Sequence, residues 1–184
     1  VRGVRHDIVY CSITGFGQDG PYADRPAYDF VMQAMSGLMS TVGPREDVPG
    51  SQPMRTAVPL TDRVTGLYAT IAVMAALYHR KATGQGQFID AAMLDSAVAF
   101  NANLAVGFLL NGKVPKRNGN TNAVVCPSDV FEVQDGEIVL AISNDSQFRS
   151  FCALIDMPAL ADDDRFRTNT LRFSNRAALY EIIA

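Results

Sequence analysis

The sequence predicts an α/β fold, in which short buried strands alternate with longer helices, and three observations carry that reading. Residues 8–13 (IVYCSI) are apolar and β-branched and run straight into a glycine-rich segment, the mark of a buried strand ending in a loop. Beyond residue 60, apolar side chains recur at helical spacing for about four turns. Around residues 130–141 two apolar runs flank Asp135-Gly136, a hairpin signal. With 48% hydrophobic and 19% charged residues in 184, the chain can bury a real core.

The elements follow in order. Residues 14–26 place Gly and Pro between polar side chains and read as loop. From Ala27 the positions Phe30, Val31, Ala34, Met35 and Leu38 keep helical spacing, and Gly43-Pro44 ends that helix. Residues 44–56, rich in Pro, Gly and charge, read as an exposed excursion. Thr61 suits an N-cap, and Asp62 falls in the first turn of the next helix. Val64, Leu67, Tyr68, Ile71, Met74, Ala75 and Tyr78 form its apolar stripe, and His79, Arg80 and Lys81 close it on the side its dipole favours. Gly84-Gln85-Gly86 turns the chain into a short strand at 88–90. Residues 93–110 approach membrane-span length, but Asp95, Asn101 and Asn103 would be costly in lipid, so the run reads as one buried helix.

Residues 111–122 (NGKVPKRNGNTN) are linker-like, and the pattern changes after them. The expected division is a first domain at 1–112, a linker at 113–124 and a second domain at 125–184. The second domain holds the hairpin, a helix at 145–156 and further short helices, the last at 175–184. The chain opens on Val1 and stops at Ala184 inside that helical pattern, so part of the functional unit is expected outside it.

Composition narrows the function. A net charge of −3, with no basic cluster beyond residues 113–117, argues against nucleic-acid binding. Cys11, Cys126 and Cys152 stand far apart, and with His6 and His79 they make no metal-ligand spacing, so no metal site is expected. The cysteines read as free, packed thiols in a reducing compartment. No signal-peptide pattern opens the sequence, and the expected location is cytoplasmic.

Residues 15–20 satisfy GxGxxG through Gly15, Gly17 and Gly20. A dinucleotide fingerprint needs the third glycine in an opening helix, and here Pro21 and Arg25-Pro26 postpone the helix. The loop reads instead as one that lets a ligand or another backbone come close. Asp62 has two readings: stabilisation of a helix start, or a carboxylate nucleophile held ionised at a rigid helix end. Near neutral pH an aspartate needs no partner base, because its ordinary pKa is about 3.9. Tyr28, at the start of its helix, could place a hydroxyl near a bound carbonyl, or simply sit at a domain surface. Asp24 and Asp29 read as loop and first-turn carboxylates, and Met32, Met35 and Met39 as core packing. Ser12 and Ser36 lack a histidine in any triad pattern. Residues 162–164 (DDD) read as a solvated helix start.

The segments SITGFGQDGPYADRPAYDFVMQAMSGLMSTVG and AVPLTDRVTGLYATIAVMAALYHRKATGQGQFIDAAMLDSAV, followed by KRNGN, VFEVQDGEIVLAISNDSQF and DDDRFRTN, together resemble class III CoA-transferases of the CaiB–BaiF superfamily. The likeness covers nearly the whole chain, in order. It implies a Rossmann-like large domain followed by the start of a smaller α+β domain, in an enzyme that forms interlocked homodimers. Asp62, followed by Thr65-Gly66, matches the family's catalytic carboxylate. The resemblance implies that this aspartate attacks an acyl-CoA thioester, passes through a mixed anhydride and an aspartyl-CoA thioester, and is released by a small carboxylic acid acceptor. Coenzyme A thioester is then the substrate, with no covalently bound cofactor and no membrane or nucleic-acid partner. Tyr28, Gly15 and Gly17 are carried over as substrate-binding positions. Members that racemise 2-methylacyl-CoA carry His where this chain has Tyr28, and tyrosine is the poorer base at neutral pH. The resemblance thus favours a transferase over a racemase or a non-catalytic acyl-CoA-binding paralogue. The family's N-terminal nucleotide-fold segment and its later glycine-rich loop are not in this sequence.

Overall fold

The computed structural model describes Gly3 and residues 5–184. Their contacts divide them into two units, one ending at Arg117 and the other running from Asn118 to Ala184.

In the first unit the order is β1 (Tyr10–Thr14), α1 (Asp29–Met35), α2 (Leu38–Thr41), α3 (Leu60–Thr83), β2 (Phe88–Ala92), α4 (Met93–Phe100) and α5 (Ala102–Asn111). β1 and β2 pair in parallel, from Tyr10 opposite Phe88 to Thr14 opposite Ala92. A parallel pair needs a long crossover, and α3 lies within it. Gly86 permits the close entry into β2: a Cβ there would stand 1.9 Å from the carbonyl oxygen of Ile8. Gly84, at φ 74°, ends α3 in the left-handed conformation that glycine adopts without strain.

Several sequence expectations are corrected here. The helix expected to run from Ala27 to Gly43 is broken at Ser36-Gly37, where Gly37 takes φ 82° and the short α2 restarts beyond it. The apolar stripe expected to bury α3 largely faces outward: Leu67, Ile71, Met74 and Tyr78 are 64–78% exposed. The buried side of α3 is instead Thr61, Val64, Thr65, Ala69 and Ala76, a narrow row of small residues that allows close packing on its neighbours. Residues 93–110 form two helices bent by 66° at a break. At that break Asn101 is buried, and its amide donates to the carbonyl of Ser36 at 3.3 Å, so the side chain serves a tertiary contact. α5 buries none of its residues, and its Leu109 and Leu110 point outward. By length and composition α3 could cross a membrane, and so could α4 with α5 if the bent pair were one span, but the core helix of a globular protein passes the same test.

The excursion at 44–56 is stapled from a distance. Arg117 is buried, and its guanidinium donates to the carbonyls of Pro44 at 3.0 Å and Ser40 at 3.4 Å and to the Ser51 hydroxyl at 3.1 Å. A planar guanidinium can serve three acceptors at once, so one side chain fixes the excursion against α2.

The second unit contains β3 (Ser128–Val133), β4 (Gly136–Ala141), α6 (Asp145–Leu154), a 3₁₀ turn (Pro158–Asp162), α7 (Asn169–Ser174) and α8 (Arg176–Ile183). β3 and β4 form the hairpin expected at Asp135-Gly136, with Val133 opposite Gly136. Asn144 caps α6 by accepting the Gln147 N–H at 2.8 Å, and the Thr168 hydroxyl caps α7. Cys126, Ile142, Phe148, Cys152, Leu160, Phe166 and Leu179 form the core, in which both cysteines are buried free thiols. The fully buried Arg172 donates to the carbonyls of Cys126 at 2.8 Å and Phe166 at 2.9 Å, and pairs with Asp145 at 2.8 Å. These bonds satisfy a charge that would otherwise be costly inside. Residues 162–164 do not start a helix: Asp162 ends the 3₁₀ turn, and Asp163 pairs with Arg165 at 2.8 Å.

Candidate active site

α3 begins after Pro59, whose side chain offers no cap. The first N–H groups of a helix need partners, and here a carboxylate from another element supplies them. Asp29, the first residue of α1, accepts through one oxygen the backbone N–H of Thr61 at 2.8 Å and the Thr61 hydroxyl at 2.7 Å. Its other oxygen accepts the Gln33 amide at 2.6 Å, and the Gln33 carbonyl oxygen accepts the N–H of Thr56 at 2.9 Å. Gln33 and Thr61 are buried, at 0% and 2% exposure, so this is a desolvated polar clamp. Thr61 therefore does not cap the helix with its own hydroxyl. It is the residue being capped, and its carbonyl in turn accepts the hydroxyl of the buried Thr65 at 2.7 Å.

Asp62 follows directly and is exposed. Burial of its surroundings lifts its carboxyl above the ordinary value of 3.8, and the nearby Asp29 carboxylate adds to the lift. For Asp29 burial also pulls upward, but the hydrogen bonds from the Thr61 hydroxyl, the Gln33 amide and the N–H groups of Thr61 and Asp62 outweigh it. Its pKa therefore lies below the ordinary value. Two carboxylates at one helix start are driven apart: Asp29 takes the donors, and Asp62 stays the more basic.

Tyr28 precedes Asp29 and is 73% exposed, so Tyr28 and Asp62 flank the same Asp29–Thr61 contact. Gly15 is packed against this segment: a Cβ on it would lie 2.1 Å from the Cβ of Ala27. The carbonyl of Gly15 also accepts the N–H of Leu94 at 3.0 Å, which ties the loop to α4. Gly17, at φ 87°, belongs to a different contact, with its Cβ direction facing the Asp90 carboxylate at 3.3 Å. Asp90 accepts the N–H of Gln18 at 2.7 Å, and the Gln18 amide reaches the Ser12 hydroxyl at 2.9 Å. No helix opens in residues 15–20, so the GxGxxG loop lacks the helix N-terminus that a pyrophosphate would need. Gly15, Tyr28 and Asp62 are thus linked through Ala27, Asp29 and Thr61, while Gly17 lies against Asp90 in the middle of β2.

Asp29 is the residue that sequence reasoning passed over as a plain first-turn carboxylate. The signal available was small: a helix whose N-cap position is Pro59 needs an acceptor from elsewhere. Among the described residues no group of three or more His, Cys, Asp or Glu side chains could hold a metal ion. A groove of about 310 Å³ in the same unit is lined by residues such as Gly37, Val98, Leu104 and Phe108 and contains none of the four candidate positions.

An α/β unit of this build is shared with a crystal structure of a CaiB/BaiF family protein from Brucella suis, at a TM-score of 0.81 and 41% identity. That match covers 98% of this chain and 47% of the solved one. The class is thus that of the CaiB/BaiF proteins. More narrowly, the family model for CoA-transferase family III matches residues 1–184, and the chain belongs to that family. It is 42% identical over 184 residues to a succinate–glutarate CoA-transferase of Agrobacterium fabrum, covering 100% of this chain and 45% of that protein. It is likewise 42% identical over 177 residues to a human succinyl-CoA:glutarate CoA-transferase, covering 96% of this chain and 40% of that one. The chain therefore spans less than half the length of these relatives.

Proposed function

We propose that this chain carries the nucleophile of a CoA-transferase that moves CoA between short carboxylic acids, and that Asp62 is that nucleophile. The observation that carries the reading is the placing of Asp62: an exposed carboxylate in the first turn of α3, made more basic than an ordinary aspartate, in a chain of CoA-transferase family III. An ordinary aspartate is ionised near neutral pH and needs no partner base. A carboxylate oxygen of Asp62 attacks the thioester carbonyl, the carbon–sulfur bond breaks, and CoA thiolate leaves a mixed anhydride behind. The thiolate then attacks the Asp62 carbonyl, freeing the donor acid and forming an aspartyl-CoA thioester. The acceptor carboxylate attacks that thioester, again giving an anhydride and thiolate. Attack of the thiolate on the acceptor's carbonyl releases the new acyl-CoA and restores Asp62. Each step exchanges one activated acyl group for another, so the protein's task is positioning, oxyanion stabilisation and exclusion of water.

In this scheme Tyr28 stands beside the acyl group, and Gly15 and Gly17 shape the loop against which the thioester lies. The relatives named for succinate and glutarate make a dicarboxylic acid the first acceptor to try. The parallel pair of β1 and β2 would belong to a wider Rossmann-like sheet, in an interlocked homodimer. The buried free thiols Cys126 and Cys152 suit a reducing compartment such as the cytoplasm.

The test uses protein that carries this sequence at its relatives' full length. It is incubated with succinyl-CoA, quenched with hydroxylamine or borohydride, and the peptide containing Asp62 is read by mass spectrometry. Modification of Asp62 is the expected outcome. An unmodified Asp62 together with deuterium uptake at the acyl α-carbon in heavy water would move the assignment to a racemase. Neither signal would leave a binding-only paralogue.

A further inference from the structure

Asp29 has no role in the scheme above, yet its surroundings are those of a built site. Its two oxygens accept hydrogen bonds from the N–H and hydroxyl of Thr61 and from the amide of Gln33. The partners are buried, and Gln33 extends the clamp to the backbone of Thr56, so α1, the excursion before α3 and the start of α3 converge on one carboxylate. A generic cap would need only an acceptor oxygen. Here an ionised group takes the helix-end donors that Asp62 would otherwise attract. Among the described residues the Asp62 carboxylate accepts no side-chain or backbone hydrogen bond, while the Asp62 N–H itself bears on Asp29.

We propose that Asp29 is the positioning residue for the nucleophile: by holding Thr61 through both its N–H and its hydroxyl, it fixes the first turn of α3 and keeps the Asp62 carboxylate free of internal hydrogen bonds and aimed at the thioester. The inference rests on the reading of Asp62 as the nucleophile. Asp29 touches neither substrate nor reacting atoms in this account and acts through Thr61. A carboxylate without donors is a better nucleophile than one tied to a helix end, and small misplacement of a reacting atom is costly, so both effects favour the clamp.

The experiment compares wild type, Asp29→Asn, Thr61→Val and Thr61→Ser in protein of the relatives' full length, with succinyl-CoA as donor and glutarate as acceptor. Asparagine keeps an acceptor oxygen but removes the charge, and valine removes only the hydroxyl. For Asp29→Asn, kcat is expected to fall about ten- to a hundredfold, the loss typical of slight misplacement. KM should be nearly unchanged, and the acid limb of kcat/KM should move to lower pH, because the negative charge acting on Asp62 is gone. Thr61→Val should lose kcat similarly, and Thr61→Ser should restore it. A merely structural role would lower melting temperature or yield and leave kcat of the folded protein in place. If Asp29→Asn does not fold, the Thr61 pair decides: equal kcat in the Val and Ser variants overturns the proposal. Wild-type labelling at Asp62 with an unmoved acid limb and unchanged kcat in Asp29→Asn also overturns it. Failure of wild-type labelling defeats the underlying reading of Asp62 instead.

Discussion

Asp62 and Asp29 lie at one helix start and differ in everything that decides reactivity. Asp29 is hydrogen-bonded by Thr61 and Gln33, and the Asp62 carboxylate by no donor among the described residues. Asp62→Asn is therefore expected to reduce transfer by a thousandfold or more, roughly the loss seen when a covalent nucleophile is removed. Its melting temperature should stay close to that of wild type, since the exposed Asp62 side chain holds no structural bond. The pH dependence follows from the same geometry. As the proposed nucleophile Asp62 would have to be ionised, and its pKa is raised above 3.8 by partial desolvation and by Asp29. Activity should thus fall with acid through a midpoint above 3.8, which a kcat/KM profile would read. The first-turn placing of Asp62 was legible in the sequence because it is a local pattern, whereas its proposed role came only from the family resemblance. The contact of Asp29 was not legible, because its partner stands 32 residues further along and no local rule joins them.

At the scale of elements, hydrophobic periodicity located β1, β2, α3 and the β3–β4 hairpin, but it did not tell which face of α3 is buried. Small residues, Val64, Ala69 and Ala76, fill the narrow contact, whereas the larger apolar row stays outside. The break between α1 and α2 was missed for a related reason. Glycine inside an otherwise periodic run is tolerated by pattern matching, yet Gly37 at φ 82° ends one helix and precedes another. Two glycine substitutions separate the effects of backbone strain and close approach. Gly37→Ala meets no atom within 4 Å, so it should cost only the left-handed penalty, about 1–2 kcal/mol, in a denaturation experiment. In Gly15→Ala the new methyl would meet the Ala27 side chain at 2.1 Å, pushing on the segment that carries Tyr28 and Asp29. There kcat should fall by a larger factor than the loss of stability explains.

At the scale of the whole molecule, the outward row of Leu67, Ile71, Met74 and Tyr78 and the half-exposed Tyr10, Ile13 and Phe88 on the parallel pair are apolar surface of a kind that sheets and helices normally cover. The chain also spans less than half the length of its relatives. The isolated 184 residues are accordingly expected to show no transferase turnover, and to bind an apolar dye such as ANS more strongly than protein of the relatives' length. Steady-state assay and fluorescence check the two expectations. The sequence could not reveal this exposure, because an apolar stripe reads alike whether it meets its own core or another segment.

The link between Asp29 and Thr61 also limits what could be transplanted. Moving the helix from Leu60 to Thr83 into another scaffold would carry the carboxylate of Asp62 but leave behind the group that closes the helix's first turn. The smallest portable cassette begins at Asp29, passes through Gln33 and Thr56, and ends at Thr65. For an engineer, or for a recombination event, the placing of Asp62 is a property of two segments inherited together.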